Sequence, residues 1–357
     1  MGIIKDSLTF DDVTLIPSFS SILPSEAITT TDLGQKLRLK IPLMSSAMDT
    51  VTEAKMAIAL SKAGGLGVIH RNLSIESQVK EVKKVKRSKC IVGAAIGVSE
   101  KDLERAIELN KANVDLLIID TAHGHTTKVS KMIKNVKKKI SRVNLCAGNI
   151  ATGKAAKFLA DSGADIVKVG IGPGSICTTR LVAGIGVPQL SAIIDVKKSL
   201  RNYKTKIISD GGIKFSGDLA KGLAAGADCI MIGSLFSGTN ESPGKIIKIK
   251  GKLYKNFRGM GSVGAMSVGS SDRYYQKKYK DISKYVPEGV EGLVKYKGQV
   301  SKIIYNLVGG LKSSMGYLGS KKIKDLQKNG EFVKITKAGF YESMVHNVDH
   351  IKQNGIK

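Results

Sequence analysis

One cysteine stands out by its neighbours. Cys177 lies in GIGPGSICTTR, residues 170–180, a glycine-rich loop with free backbone N–H groups and a cation at Arg180. Such surroundings lower a thiol pKa and favour the thiolate as a nucleophile. Cys90, Cys146 and Cys229 fall inside apolar runs and read as small buried hydrophobes. Two further motifs, SDGG at 209–212 and MIGS at 231–234, end neighbouring apolar runs. Their glycines let the backbone approach a phosphate closely, and Ser175 adds a hydroxyl; the plainer alternative is a pair of tight turns. Asp210 repels phosphate and suits the hydroxyls of a sugar. Asp120, ending another run, suits the ribose of a dinucleotide, although no G-x-G-x-x-G follows a first strand to hold it in Rossmann fashion. His123 and His125 suggest a metal pair but have no third ligand of suitable type nearby. Arg273, Tyr274, Tyr275, Lys277, Lys278 and Tyr279 interleave cations with aromatics, as a single-stranded nucleic-acid surface does. A solvated loop is the plainer alternative.

The elements that must carry these residues are regular. Apolar, β-branched runs begin at Ile41, Leu66, Ile91, Leu116, Val143, Asp165, Ile207 and Cys229, and helical patterns fill most of the gaps. Continuous apolar strands alternating with helices imply a parallel sheet buried on both faces. Eight such units predict an α/β fold of the (β/α)8 TIM barrel type, since a doubly wound sheet more naturally stops at five or six strands. The polar residues that end the runs, Ser46, His70, Asp120, Asn149, Asp210 and Ser234, with Gly170, then ring the C-terminal face, where barrels place their chemistry. GAD precedes the strand at Asp165 and again at Cys229, a weak internal repeat. The chain divides into an N-terminal segment (1–40), the eight strands (41–234), a glycine-rich, aperiodic lid (235–298) and a last barrel helix with C-terminal segment from about Gln299 (299–357). All of it reads as a single catalytic barrel domain.

Composition narrows the class. The 357 residues carry 57 Lys plus Arg against 30 Asp plus Glu, a formal charge of +27 that suggests an anionic partner. A hydrophobic content of 42% excludes a disordered chain. Four widely spaced cysteines without C-x-x-C suggest neither a disulfide framework nor a zinc site, and fit a reducing cytoplasm. The MGIIKDSLTFDD start lacks the apolar core of a signal peptide, and no uncharged apolar run approaches the length of a membrane span.

Together these motifs resemble the inosine-5′-monophosphate (IMP) dehydrogenase family. The resemblance runs from SLTFDDVTLIPSFSSILPSE through LMSSAMDTVTE, GNIAT, GIGPGSICTTR, SDGGI, FRGMGSVGAM, DRYYQ and VPEGVEG to ITKAGFYES. GPGSICTTR and SDGGI are shared with the sister family, guanosine monophosphate (GMP) reductase, whereas RGMGS, Arg273-Tyr274 and VPEGVEG favour the dehydrogenase. The resemblance implies NAD-dependent oxidation of IMP to XMP through a Cys177 thioimidate, with Thr179, Arg273 and Tyr274 as the other catalytic residues and Arg273 or Thr179 as general base. It places Ser46, Met48, Ser175, Asp210, Gly212, Gly233, Ser234, Gly259, Met260, Gly261 and Glu288 around IMP. Asp120, Thr121, Ala122, Asn149, Gly170 and Gly172 match the NAD side, with Ser20, Pro24 and Tyr317 reaching it from a neighbouring subunit. Carbonyls of Gly172, Gly174 and Cys177, with Glu342, Ser343 and Met344 of the next subunit, look like the family's K+ site, and a homotetramer is implied. Two departures stand out. The regulatory CBS modules usual between the second and third strands are missing, because IHRNLSIESQ runs through VKKVKRSK into CIVGAAIGV; and Phe257 replaces the usual phosphate-binding Tyr before RGMGS. A basic nucleic-acid-binding barrel is the alternative from another class.

Overall fold

The eight apolar runs form eight parallel strands: β1 (Leu43–Ser45), β2 (Leu66–Ile69), β3 (Val92–Ile96), β4 (Leu116–Asp120), β5 (Asn144–Ile150), β6 (Ile166–Val169), β7 (Lys206–Asp210) and β8 (Cys229–Ile232). They pair in sequence order, and β8 closes on β1 with Ile230 opposite Leu43, so the sheet is a closed barrel. This computed structural model describes residues 6–34, 37–140 and 142–347; the MGIIK start and the last ten residues, on which the expectations about the two ends partly rest, lie outside the described residues.

Each strand is followed by its helix: α1 (Ala54–Lys62), α2 (Ile75–Arg87), α3 (Glu100–Lys111), α4 (Thr127–Lys139), α5 (Gly153–Asp161), α6 (Gln189–Ser199), α7 (Ser216–Ala224) and α8 (Val300–Tyr317). Caps explain where several of them begin. Ser74, Ser99, Thr126 and Thr152 each accept a first-turn backbone N–H, which removes an orphan donor from a helix end that would otherwise lack a partner. The repeated GAD also has a local reason. Asp165 accepts the N–H of Leu145 at the preceding strand, and Asp228 accepts that of Ile207, so each aspartate ties the start of its own strand to its neighbour's. Only α2 separates β2 from β3, and no module intervenes there.

Side chains alternate along each strand between two cores. Leu43, Ile69, Leu117, Ile119, Val167 and Ile207 face the helices, while Met44, Leu66, Val68, Leu116, Ile118, Cys146, Ile166, Ile208 and Met231 fill the barrel. A hairpin of Thr31–Asp32 and Arg38–Leu39 adds Leu33, Leu37 and Leu39 to this inner core. Thr31 donates to the carbonyl of Asp228, just before β8, so the hairpin plugs the N-terminal end.

Continuing the same alternation toward the opposite end brings a change of chemistry. Two residues after Ile118, Ile166 and Ile208 come Asp120, Lys168 and Asp210, and the top layer of the barrel is therefore charged. Lys168 is 2% exposed; its ammonium donates to Asp120 Oδ1 at 2.9 Å and Asp210 Oδ2 at 2.8 Å, and to the side-chain oxygen of Asn149. An ammonium so deep in a barrel needs such partners, because desolvating it unpaired costs several kcal/mol.

The segment expected to be an aperiodic lid is more ordered than that. Strands β9 (Ile247–Ile249), β10 (Lys252–Arg258) and β11 (Glu291–Lys295) form an antiparallel sheet at its base. Only the stretch between them, residues 259–290, is the irregular flap. Beyond α8, the chain forms α9 (Ile323–Asn329), a strand at Phe332–Lys334 that pairs with Val13–Leu15, and α10 (Lys337–Glu342).

Candidate active site

The loop after β6 is shaped by glycine. Gly170 has φ +152°, and a Cβ there would stand 2.1 Å from the carbonyl of Asp210, so only glycine lets β6 and β7 meet at this height. The chain then turns through Pro173 to Cys177, whose N–H donates to Gly174 O at 3.1 Å. Three segments lie side by side across the barrel mouth. Val290 N–H donates to Ile176 O, Thr178 N–H to Glu288 O, Glu288 N–H to Gly261 O and Gly259 N–H to Val290 O. The cysteine loop is thus laced to the flap rather than left free over the barrel.

Below this lacing is a cleft with about 920 Å³ of empty space, part of it open to solvent. Ser46, Met48, Ser175, Asp210, Gly212, Gly233 and Ser234 line it with Phe257, Gly259, Met260 and Glu288. Asp120, Asn149, Gly170, Gly172, Gly174 and Cys177 line it too. Thr179 is not a lining residue, yet its Oγ1 accepts from the Cys177 thiol at 3.2 Å. Gly212 has φ +85°, which turns the SDGG backbone toward the cleft.

Arg273 and Tyr274 point inward. The Arg273 guanidinium is ion-paired with Asp120, and its carbonyl accepts the N–H of Ala122 at 2.9 Å. Thr121 is tied down behind them, its hydroxyl donating to Gly148 O at 2.8 Å. Tyr274 packs over Gly261, where a Cβ would come within 2.7 Å of its ring. The flap is therefore closed on the Asp120 side. The aromatic-basic stretch is not one exposed face, as a nucleic-acid surface requires: Arg273 and Tyr274 enter the cleft, Tyr275 donates to His123 O at 2.7 Å, and Tyr279 packs against Tyr285.

Burial lowers the Arg273 pKa, and the nearby charge of Arg71 acts in the same direction, against the pull of Tyr274. The Asp120 carboxylate works against that shift while the pair is made. Burial raises the Tyr274 pKa, offset in part by Arg273. Cys146 is raised to about 12, chiefly by burial, and burial raises Cys229 as well, so both stay inert thiols. His123 and His125 sit 6.3 Å apart, and no cluster of three or more metal-binding side chains occurs among the described residues.

Several positioning residues were not singled out from sequence. Lys168 is one. Asp49 and Arg258 are others: Arg258, ending β10, holds Asp49 through Nη2 at 2.7 Å and Nε at 3.1 Å, and Asn72 donates to the same carboxylate at 2.9 Å. This pair fixes the SSAM loop against the RGMG segment. Burial pushes the Asp49 pKa up, but the hydrogen bonds from Arg258 and Asn72 and the Arg258 charge outweigh it, leaving a net depression below 3.8. A depressed carboxyl pKa contributes stability that is full above the unfolded value and lost as pH falls through the lower folded value. Arg258→Met, which strands a buried carboxylate, is expected to cost about 2 kcal/mol near neutrality. That gap to the parent should close in thermal melts taken below about pH 4; a gap independent of pH would refute the role of the pair.

Of the expected site residues, Thr121, Ala122, Thr179 and Gly261 back the cleft without lining it, and six more lie away from it. Ser20, Pro24 and Tyr317 cluster together on the surface, with Ser18 N–H donating to Tyr317 O and Gly316 packed on Pro24, beside Phe19 at 90% exposure. Glu342, Ser343 and Met344 end α10 and begin the following turn on another exposed face.

Known proteins match this chain over nearly its whole length. The model of the family described as IMP dehydrogenase / GMP reductase domain matches residues 7–346. Inosine-5'-monophosphate dehydrogenase of Borreliella burgdorferi is 47% identical, with 97% of this chain and 98% of that protein covered. The protein of the same name from Cryptosporidium parvum is 46% identical over 98% and 97%. That from Aquifex aeolicus is 39% identical over 97% and 96%, in an alignment of 474 positions that leaves long gaps opposite these 357 residues. A glycine-loop cysteine at the mouth of a closed eight-stranded barrel, under an Arg-Tyr flap, and a match of this extent agree: the chain belongs to the IMP dehydrogenase / GMP reductase family.

Proposed function

We propose that this chain oxidises IMP to XMP with NAD+ as oxidant, acting as one catalytic barrel. The observation that carries the choice of dehydrogenase over reductase is Arg273 inside the cleft, ion-paired with Asp120. A flap that delivers an arginine there serves a hydrolytic step, which reductive deamination does not need.

The residues divide the work as follows. Ser175, Gly212, Gly233 and Ser234 offer hydroxyls and backbone N–H groups to the 5′-phosphate, and Asp210 accepts from the ribose hydroxyls. Glu288, held by Gly261 and Thr178, faces the purine edge, and Met48 packs on it from the SSAM loop. The Cys177 thiolate adds to C2, making a C–S bond, and the C2 hydrogen leaves with its electron pair. NAD+, when bound, supplies the acceptor of that hydride. The Asp120 and Asn149 part of the cleft, backed by Ala122, fits a dinucleotide's nicotinamide end, because once the flap lifts it presents a carboxylate and the Ala122 N–H to a ribose and carboxamide. Water then attacks C2 of the thioimidate, its proton passing to Arg273 in its neutral, deprotonated form or through Thr179, and the C–S bond breaks to return the cysteine. Burial pushes the Arg273 pKa in the direction that assignment needs, and the ion pair with Asp120 opposes it.

Gly172, Gly174 and Cys177 supply neutral carbonyl oxygens, donors that suit a weakly hydrated monovalent cation such as K+. Within one chain, Glu342, Ser343 and Met344 are elsewhere on the surface, so a complete cation site draws them from a second copy. Exposed Phe19, Leu23, Leu181, Tyr305, Tyr317 and Tyr341 support assembly into a homotetramer. No helix among the described residues is long and apolar enough to cross a membrane, and the reduced Cys177 that the reaction needs suits the cytoplasm.

The test is direct: incubation with IMP, NAD+ and K+ should produce NADH absorbance, and folded protein giving none, while consuming NADPH with GMP, would establish the reductase instead. The phosphate end offers a finer check. Phe257 is buried and lines the cleft without a hydroxyl. Phe257→Tyr adds one donor to a phosphate and should tighten IMP binding about threefold to tenfold by calorimetry; an unchanged dissociation constant would mean that the other donors already saturate the phosphate.

A further inference from the structure

The flap touches the barrel at a point that the chemistry above does not use. Arg71, directly after β2, donates from Nη1 to Asp272 Oδ2 at 2.9 Å, and Asp272 immediately precedes Arg273. The Arg71 side chain is 9% exposed and that of Asp272 47%, so a largely buried barrel residue holds a half-exposed flap residue. The next residue, Asn72, donates to Ala265 O at 3.4 Å and packs under Gly269, which makes the whole β2–α2 loop a shelf for residues 265–272. A second guanidinium backs this shelf. Arg105 of α3 donates to Gln78 Oε1 and Leu73 O, lies 3.6 Å from Asp102, and feels the field of both Arg71 and Asp272. When the flap is down, Asp272 thus meets a local excess of positive charge that the β2–α2 loop and α3 carry.

We propose that Arg71 is a positioning residue for hydrolysis: its ion pair with Asp272 latches the flap so that the adjoining Arg273 is delivered to Asp120. Arg71 touches no reacting atom. It acts on the equilibrium between the closed flap, which hydrolyses, and the open flap, which admits the dinucleotide. Proximity of its charge to Arg273 also favours the less protonated guanidinium. The inference rests on the IMP-oxidising reading, but the contact itself does not, and the two are separable by experiment.

Arg71→Gln, Arg71→Lys, Asp272→Asn and the double variant are compared as full-length protein. Without nucleotide, tryptic cleavage at the flap lysines Lys277, Lys278, Lys280 and Lys284 should quicken about threefold in R71Q and D272N, no further in the double variant, and little in R71K. In stopped flow with IMP and NAD+, the first equivalent of NADH should appear at the parent rate while steady-state turnover falls about threefold, with R71K restored. Because Asp272 is half exposed and packs into no core, D272N keeps the test valid should R71Q prove unstable. Unchanged cleavage in D272N, or effects of the two single variants that simply multiply in the double, would overturn the latch. Should native protein form no NADH, the IMP reading fails, while the proteolysis still decides the latch.

Discussion

Replacing Cys177 by serine is expected to cut turnover about a thousandfold or more and to leave IMP binding intact. The hydroxyl keeps the small polar volume of the loop and the contact with Thr179 Oγ1, so the lacing of Ile176–Thr178 to Glu288–Val290 is preserved. What is lost is a thiol, a far better nucleophile than a hydroxyl; a serine there has no imidazole to activate it, since His123 and His125 are not among the residues lining the cleft. Calorimetry should return a dissociation constant for IMP within about threefold of the parent, and intact-mass measurement of parent protein quenched during turnover should show a nucleotide adduct that the variant lacks. Near-normal NADH production by Cys177→Ser would remove the cysteine from its proposed role.

Arg273→Ala should separate the two half-reactions. The hydride step requires the flap to be away from Asp120, so the first equivalent of NADH should form at close to the parent rate. Hydrolysis requires Arg273 in the cleft, so steady-state turnover should fall by about 10²–10⁴ and the covalent adduct should accumulate. A quench-flow experiment reads both from one sample. Equal loss in the burst and in the steady state would show that Arg273 is needed for the redox step itself, against the assignment made here. A reductase would instead lose little of its GMP-dependent NADPH oxidation.

The barrel was legible because its strands are buried on both faces: continuous runs such as LLIID and CIMIG leave few alternatives, and every strand begins within two residues of its expected start. The glycine loops were legible for a related reason, since strained backbone admits few residue types. Lys168 was not, because a single lysine within DIVKVGIG reads as tolerance at a strand edge until the alternation is followed from Ile166 into the barrel. The Asp49–Arg258 pair spans 209 positions, and no local pattern announces a contact of that range. The direction of Arg273 and Tyr274 was equally hidden: a basic-aromatic stretch looks alike whether it coats a surface or closes a cleft, and tertiary pairing of Ala122 with Arg273 decides it. The sheet at the base of the flap escaped notice because β11 lies more than thirty residues beyond β10, so neither strand has its partner nearby in sequence.

The charged layer at the top of the barrel has a consequence for the order of events. With the flap down, two carboxylates, Asp120 and Asp210, face two cations, Lys168 and Arg273, and the formal charges cancel. With the flap up, one negative charge is left over in a largely desolvated hollow. An oxidised nicotinamide ring bears one positive charge and the reduced ring bears none. The hollow therefore attracts the oxidant and loses its hold on the spent form, after which the vacant countercharge draws the arginine back. Charge balance within that layer thus favours the exchange of the spent dinucleotide for the arginine.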